Sequence, residues 1–234
     1  FDWYRFDGVY NPVDGLAYFL GGREGGTHDK SVWTYDPATG VSADTGVDML
    51  YNSANTTINF IEDDGTGRGE AMYVLGGYDV AIAQNINNVQ RYYPQSGTVE
   101  ELVNDPYPER ASNGLPFGAG GSGVVDGIIY YFGGWDSAVP EFTATTWMFD
   151  PQGADGSRWT NLACPMGVTR AYIDVAVSDG LIYAMGGDTE YPGDLVPTDL
   201  VEVFDPANPG ACWTPLASLP AATSQGRGYG FDDD

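Results

Sequence analysis

The sequence predicts an all-β chain of four consecutive four-stranded antiparallel units, and three observations predict it. A Gly-Gly pair follows an apolar strand at Gly21-Gly22, Gly76-Gly77, Gly133-Gly134 and Gly186-Gly187, at intervals of 55 (21 to 76), 57 (76 to 133) and 53 (133 to 186) residues. A second mark keeps step with it: Tyr35-Asp36-Pro37, Tyr92-Tyr93-Pro94, Phe149-Asp150-Pro151 and Phe204-Asp205-Pro206. Composition agrees, since 33 glycines, 15 prolines and 14% aromatics describe short strands separated by turns.

Each unit reads in the same order. Asp-Gly, at Asp14-Gly15, Asp126-Gly127 and Asp179-Gly180, suits the tight hairpin between strands one and two, where positive φ is needed. The double glycine ends strand two, where a missing Cβ lets another backbone pass close by. The aromatic-Asp-Pro ends strand three, because proline donates no further ladder bond. Trp159 and Trp213 open strand four and wedge between units, a place taken by Val41 and Val99 in the first two.

Strand, Gly-Gly, aromatic-Asp-Pro and Trp at a period near 50 residues resembles the kelch repeat, which implies a β-propeller of four-stranded blades. The Tyr/Phe-Asp-Pro form is similar to that of secreted bacterial kelch proteins. The chain then reads as a single kelch-type propeller segment over 1–234, with blades at 1–51, 56–103, 118–162 and 171–216. A partial blade at 226–234 looks like the first strand of another. Four blades fall short of the six or seven usual in this family, so further blades or another chain are expected to complete the ring.

The net charge of −24, from 33 acids against 9 bases, repels phosphate backbones and excludes nucleic acid as a natural partner. No apolar run is long enough to insert in a membrane. The first residue is Phe1 and no signal-peptide pattern follows, as expected of a mature or excised piece. Cys164 and Cys212 are expected to be unbonded, because one falls at the end of a fourth strand and the other at the start of the next, on opposite faces. Asn55-Thr56-Thr57 is a glycosylation sequon wherever the compartment permits.

Alternation of antiparallel strands puts the strand 2–3 and 4–1 connections on one face, and that face carries the longer loops. The residues there that could hold a ligand are Arg23, Tyr78, Asp79, Arg110, Trp135, Asp136, Arg170, Asp188 and Tyr191, because aromatics and arginine are the usual anchors of binding sites. No catalytic residue is assigned. His28 is the one histidine, so any Ser-His-Asp arrangement would have to use it, and the two-histidine copper site of galactose-oxidase-like kelch enzymes cannot be built within this segment. No metal site is identified and no cofactor is required; calcium is the one left open, on the acidic segments Glu62–Gly65 and 188–194.

The function expected is an extracellular or cell-surface recognition module that binds a protein or glycan through the long-loop face. Two alternatives stay open: a partial propeller of a secreted enzyme, and a structural subunit of a surface filament or sheath.

Overall fold

The computed structural model describes residues 3–24, 27–189 and 195–224, and among them are nineteen short strands and a single 3-10 turn (Pro209–Ala211). Blade 1 is formed by β2 (Asp7–Asn11), β3 (Leu16–Leu20), β6 (Ser31–Asp36) and β7 (Val41–Asp48), with a small sheet of β1 (Trp3–Tyr4), β4 (Arg23–Glu24) and β5 (Thr27–His28) beside it. Blade 2 is β8 (Thr57–Ile61), β9 (Ala71–Asp79), β10 (Gln84–Tyr93) and β11 (Thr98–Glu101). Blade 3 is β12 (Gly121–Val125), β13 (Ile128–Asp136), β14 (Glu141–Phe149) and β15 (Trp159–Asn161). Blade 4 is β16 (Asp174–Ser178), β17 (Leu181–Met185), β18 (Val201–Phe204) and β19 (Thr214–Pro215). The four sheets form a propeller in which β2, β8, β12 and β16, the innermost strands, line one channel of about 490 Å³.

The turn signals work as their chemistry requires. Asp126 and Gly127 have φ of 51° and 76°, and Asp179 and Gly180 of 52° and 71°, the two consecutive left-handed residues of a tight hairpin. Asp36, Asp150 and Asp205 each accept the N–H two residues on, at 2.8, 2.9 and 2.9 Å, so the Asp-Pro step stops strand three and starts the next turn.

The double glycines of blades 1, 3 and 4 mark where the chain entering the following blade crosses. Gly22 N donates to Ser53 O (2.9 Å), Gly134 N to Arg170 O (2.8 Å) and Gly187 N to Thr223 O (2.9 Å). A Cβ on Gly133 would lie 2.5 Å from the Arg170 carbonyl oxygen. In blades 2 and 3 the second strand does not end at the pair. It runs on through a register shift to Asp79 and Asp136, so Tyr78 and Trp135 belong to strands and not to loops. The expected partial blade at 226–234 lies outside the described residues.

Three apolar seams hold the blades together. The first joins Tyr18 and Leu20 of blade 1 to Met72, Val74 and Tyr92 of blade 2. The second joins Tyr73 and Tyr93 to Tyr131 and Phe149, and the third Tyr130 and Phe132 to Ile182 and Phe204. Trp159 and Trp213 wedge into the second and third seams, and Trp213 donates to Thr146 Oγ1 across the blade boundary at 2.8 Å. Val99 packs against the first seam, whereas Val41 is 58% exposed. Among the described residues no further blade packs on the leading face of blade 1.

Cys164 and Cys212 form a disulfide, with Cα atoms 5.1 Å apart, against the expectation from strand position. That expectation assumed fourth strands spanning the full height of a blade. They do not: β15 stops at Asn161, and the chain continues beside β14 with Leu162 N bonded to Thr146 O at 3.1 Å. Both cysteines therefore meet partway up the third seam, near the Trp213–Thr146 contact.

Candidate binding site at the channel mouth

Propeller geometry sets residues at equivalent repeat positions around one axis, so two positions per blade ring the channel mouth on the Gly-Gly face. The residue after each double glycine is Arg23, Tyr78, Trp135 or Asp188, and each pairs with the chain entering a blade: Tyr4↔Arg23, Ala54↔Tyr78, Gly118↔Trp135 and Ala171↔Asp188. The residue two before each innermost strand is Arg5, Asn55, Ala119 or Tyr172, all left-handed with φ of 60°, 53°, 54° and 54°. Left-handed backbone costs a residue other than glycine about 1–2 kcal/mol. Four such residues line a cavity of about 650 Å³ that extends along the leading face of blade 1.

The side chains converge. The Arg23 guanidinium lies over the Tyr78 ring at 5.3 Å, and Trp135 lies 5.9 Å from Tyr172 and stacks on Phe142 at 6.1 Å. Burial pushes the Tyr172 hydroxyl above its ordinary pKa; Arg5 and Arg23 pull it down, and Asp188 and Tyr78 push it up, which places all four within electrostatic reach. Asp188 is 1% exposed, with Ser224 as a hydrogen-bond partner of its carboxylate. Its pKa is raised by burial, with Ser224 near enough to oppose the shift. Among the described residues Arg68, Arg91, Arg158 and Arg170 are held in ion pairs, whereas Arg5 and Arg23 make none. The mouth thus combines two uncommitted cations, a buried acceptor and three aromatic faces.

Of the residues singled out from the sequence, Arg23, Tyr78, Trp135 and Asp188 come together here. Asp79 instead caps the turn at Ala81 N (2.8 Å), and Asp136 is buried, accepting from Asn113 Nδ2 (2.6 Å) and Ala138 N (2.9 Å). Arg110 is spent on the Tyr107 and Glu109 carbonyls at 2.7 and 2.9 Å. Arg170 leaves the candidate surface altogether: it is fully buried, bonded to Glu202 Oε2 (2.6 Å) and Gly186 O (2.8 Å). Its chain carries the Gly134 contact under the next blade, so the side chain must turn into the core. Tyr191 lies outside the described residues.

Arg5, Asn55 and Tyr172 belong to the mouth and were missed in the sequence. Their signal was phase, since each stands two residues before an innermost strand, but no glycine marked the left-handed backbone. Asn55 of the sequon is one of them, so a glycan there would stand at the channel mouth.

Residues 116–166 and 169–220, covering blades 3 and 4, match the Kelch motif. The chain is 30% identical over 115 residues to the F-box/kelch-repeat protein At1g22040 of Arabidopsis thaliana, across 49% of this chain and 22% of that protein. It therefore spans about a fifth of the length of that relative. The structure of YjhT superposes with a TM-score of 0.73 over 96% of this chain and 73% of that one, at 11% identity, a likeness of fold alone. The unmatched blades 1 and 2 are those with valine where the fourth strand otherwise carries tryptophan. With the repeat phase, the seams and these matches in agreement, the chain is a β-propeller whose third and fourth blades match the Kelch motif.

Proposed function

We propose that the chain is the recognition module of an extracellular or cell-surface protein, and that it takes its partner, a protein or a glycan, at the channel mouth. A kelch propeller suggests a protein-binding or scaffold module. The observation that carries the site assignment is the cavity lined by Arg5, Asn55 and Tyr172, beside which Arg23 lies over Tyr78 and Trp135 lies against Tyr172. The Cys164–Cys212 disulfide supports an oxidising compartment. No helix among the described residues is long and apolar enough to cross a membrane.

The test is binding to arrayed glycans and extracellular proteins by the whole chain and by Arg5→Ala, Arg23→Ala and Val13→Ser. Val13 is exposed beside the Asp14-Gly15 turn at the opposite end of the blade. A truncated anchor costs about 2 kcal/mol or more of affinity, so the arginine variants should lose most of the signal and Val13→Ser none. Equal binding by all four proteins would sink the assignment. A second reading, that further blades or another chain cover blade 1, is favoured by the 37% exposure of Tyr35 on its leading face. Light scattering over a range of concentrations tests whether a second copy does so.

A further inference from the structure

The residues that line the cavity restrict the chemistry of what can bind in it. Phe6 and Phe19 of blade 1, with rings 5.7 Å apart edge to face, share its wall with Tyr172 at the entry to blade 4. Arg5 lines it too, exposed and without an ion pair in a chain that carries 33 acids. Asp7 is the one carboxylate of the lining, and its two oxygens already accept Gly8 N and Ile58 N at 2.8 and 2.9 Å. Asn55, also in the wall, adds an amide that both donates and accepts. Arg5, Asn55 and Tyr172 all have left-handed backbone, which glycine adopts freely and asparagine more readily than other residues. Arginine and tyrosine adopt it against preference, so large side chains are kept at two positions where the fold alone favours glycine.

An ammonium ligand would meet Arg5 and find the Asp7 carboxylate already taken. A neutral apolar molecule packs on the rings and leaves Arg5 unused, and a small inorganic anion does the reverse. An acid carried on a flat ring answers both, because a carboxylate is the planar, bidentate partner of guanidinium while aromatic rings pack on one another edge to face or offset. The net charge of −24 opposes an anion at long range, but salt screens exposed charges beyond about 8 Å, whereas Arg5 acts in contact. At about 650 Å³ the cavity falls within the usual range for small-molecule sites, with room for ring and acid together. We propose that the cavity binds an aromatic carboxylate, its acid on the Arg5 guanidinium beside Asn55 and its ring among Phe6, Phe19 and Tyr172. This rests on the mouth being the recognition site proposed above, and the group is either a free aromatic acid or the chain end of a protein whose last residue is aromatic.

Calorimetry and saturation-transfer NMR on the full chain would compare N-acetyltryptophan with its amide, with tryptamine and with glucuronate. Peptides ending in tryptophan separate the two sources: they bind more tightly than N-acetyltryptophan if the natural group is a chain end, and more weakly if it is a free acid. N-acetyltryptophan is expected to bind with a Kd below about 1 mM, and the amide and tryptamine at least about tenfold more weakly. Arg5→Gly, freed of the left-handed preference, should keep the parent's Tm or raise it and should abolish the preference for acid over amide. Tyr172→Ala should weaken acid and amide alike and keep that preference. An amide bound as tightly as the acid, glucuronate bound more tightly than N-acetyltryptophan, or a preference for the acid that survives Arg5→Gly overturns the proposal. Should aromatic acids fail while binding on the array is still lost in Arg5→Ala and Arg23→Ala, the aromatic-acid inference falls and the mouth stands as the site. Binding on the array that survives both arginine variants removes the mouth itself.

Discussion

Tyr35, Tyr92, Phe149 and Phe204 occupy one position of the repeat, yet the fold predicts that truncating them costs very different amounts. In blades 2 to 4 this ring faces the preceding blade and is 3%, 0% and 0% exposed, whereas Tyr35 is 37% exposed. Phe149 packs 5.7 Å from Tyr73 of blade 2 and 4.8 Å from Trp159, so Phe149→Ala leaves a hole in the second seam. Emptying such a site costs about 3–5 kcal/mol. For a chain of this length each kcal/mol moves Tm by about 2–4 °C, so Phe149→Ala should lower it by about 6–20 °C. Tyr35→Ala removes a ring that already keeps over a third of its surface in water, and should cost about 1 kcal/mol or less. Thermal and urea unfolding followed by tryptophan fluorescence measure both. A Tyr35→Ala loss equal to that of Phe149→Ala would mean that something already covers blade 1, and the open-seam reasoning would be wrong. A harmless Phe149→Ala would refute the seam itself.

Four further outcomes follow from the same structure. Replacing both cysteines by serine should cost about 4 kcal/mol, from the loop closed by a separation of 48 residues; an unchanged urea midpoint after reduction would contradict this. Gly133→Ala puts a Cβ 2.5 Å from the Arg170 carbonyl at φ 67°, whereas Gly40→Ala at φ 72° meets nothing within 4 Å. Gly40→Ala should therefore show only the left-handed penalty of about 1–2 kcal/mol and Gly133→Ala distinctly more, by chemical denaturation of the two side by side. Arg170→Met strands Glu202 in the core and should cost about 3–5 kcal/mol of stability, and a folded variant that merely lost affinity would return Arg170 to the site. Burial alone would raise the Asp105 carboxyl, but the N–H groups of Arg158 and Gly156 and the Arg158 guanidinium hold it below the usual range. Its stabilisation is complete above the unfolded value of about 3.9 and is lost as pH falls through the folded one. Asp105→Asn should therefore flatten the acid limb of the stability curve, and an unaltered limb counts against the ion pair with Arg158.

What was legible in the sequence was whatever the backbone demands locally. Gly-Gly, Asp-Gly and Asp-Pro are read directly, because positive φ, tight hairpins and Asx turns each admit few residue types. Arg23, Tyr78, Trp135 and Asp188 were legible as candidates because they follow such a mark by one position. Arg170 was not. Its burial depends on Glu202, which lies 32 residues on and reaches it only through the fold. The disulfide escaped for a related reason, since the pairing of Cys164 with Cys212 is set by how early β15 ends, and strand length is decided by the seam. Arg5, Asn55 and Tyr172 escaped because their left-handed backbone carries no glycine to announce it.

Repetition itself separates scaffold from site. At positions the fold must satisfy in every blade, the residues agree: Gly-Gly four times where a chain crosses, and Tyr, Tyr, Phe, Phe where a ring fills or would fill a seam. At the mouth they disagree, with Arg, Tyr, Trp and Asp at one position and Arg, Asn, Ala and Tyr at the other. The backbone there is the same in all four blades, left-handed and paired to the incoming chain, so conformation does not account for the variety. A ligand on the channel axis meets four equivalent positions from four directions. An asymmetric ligand needs a different partner from each, whereas a scaffold filling its own mouth would be served by one residue repeated. Under the proposed function, the disagreement is what an asymmetric ligand at the mouth would require.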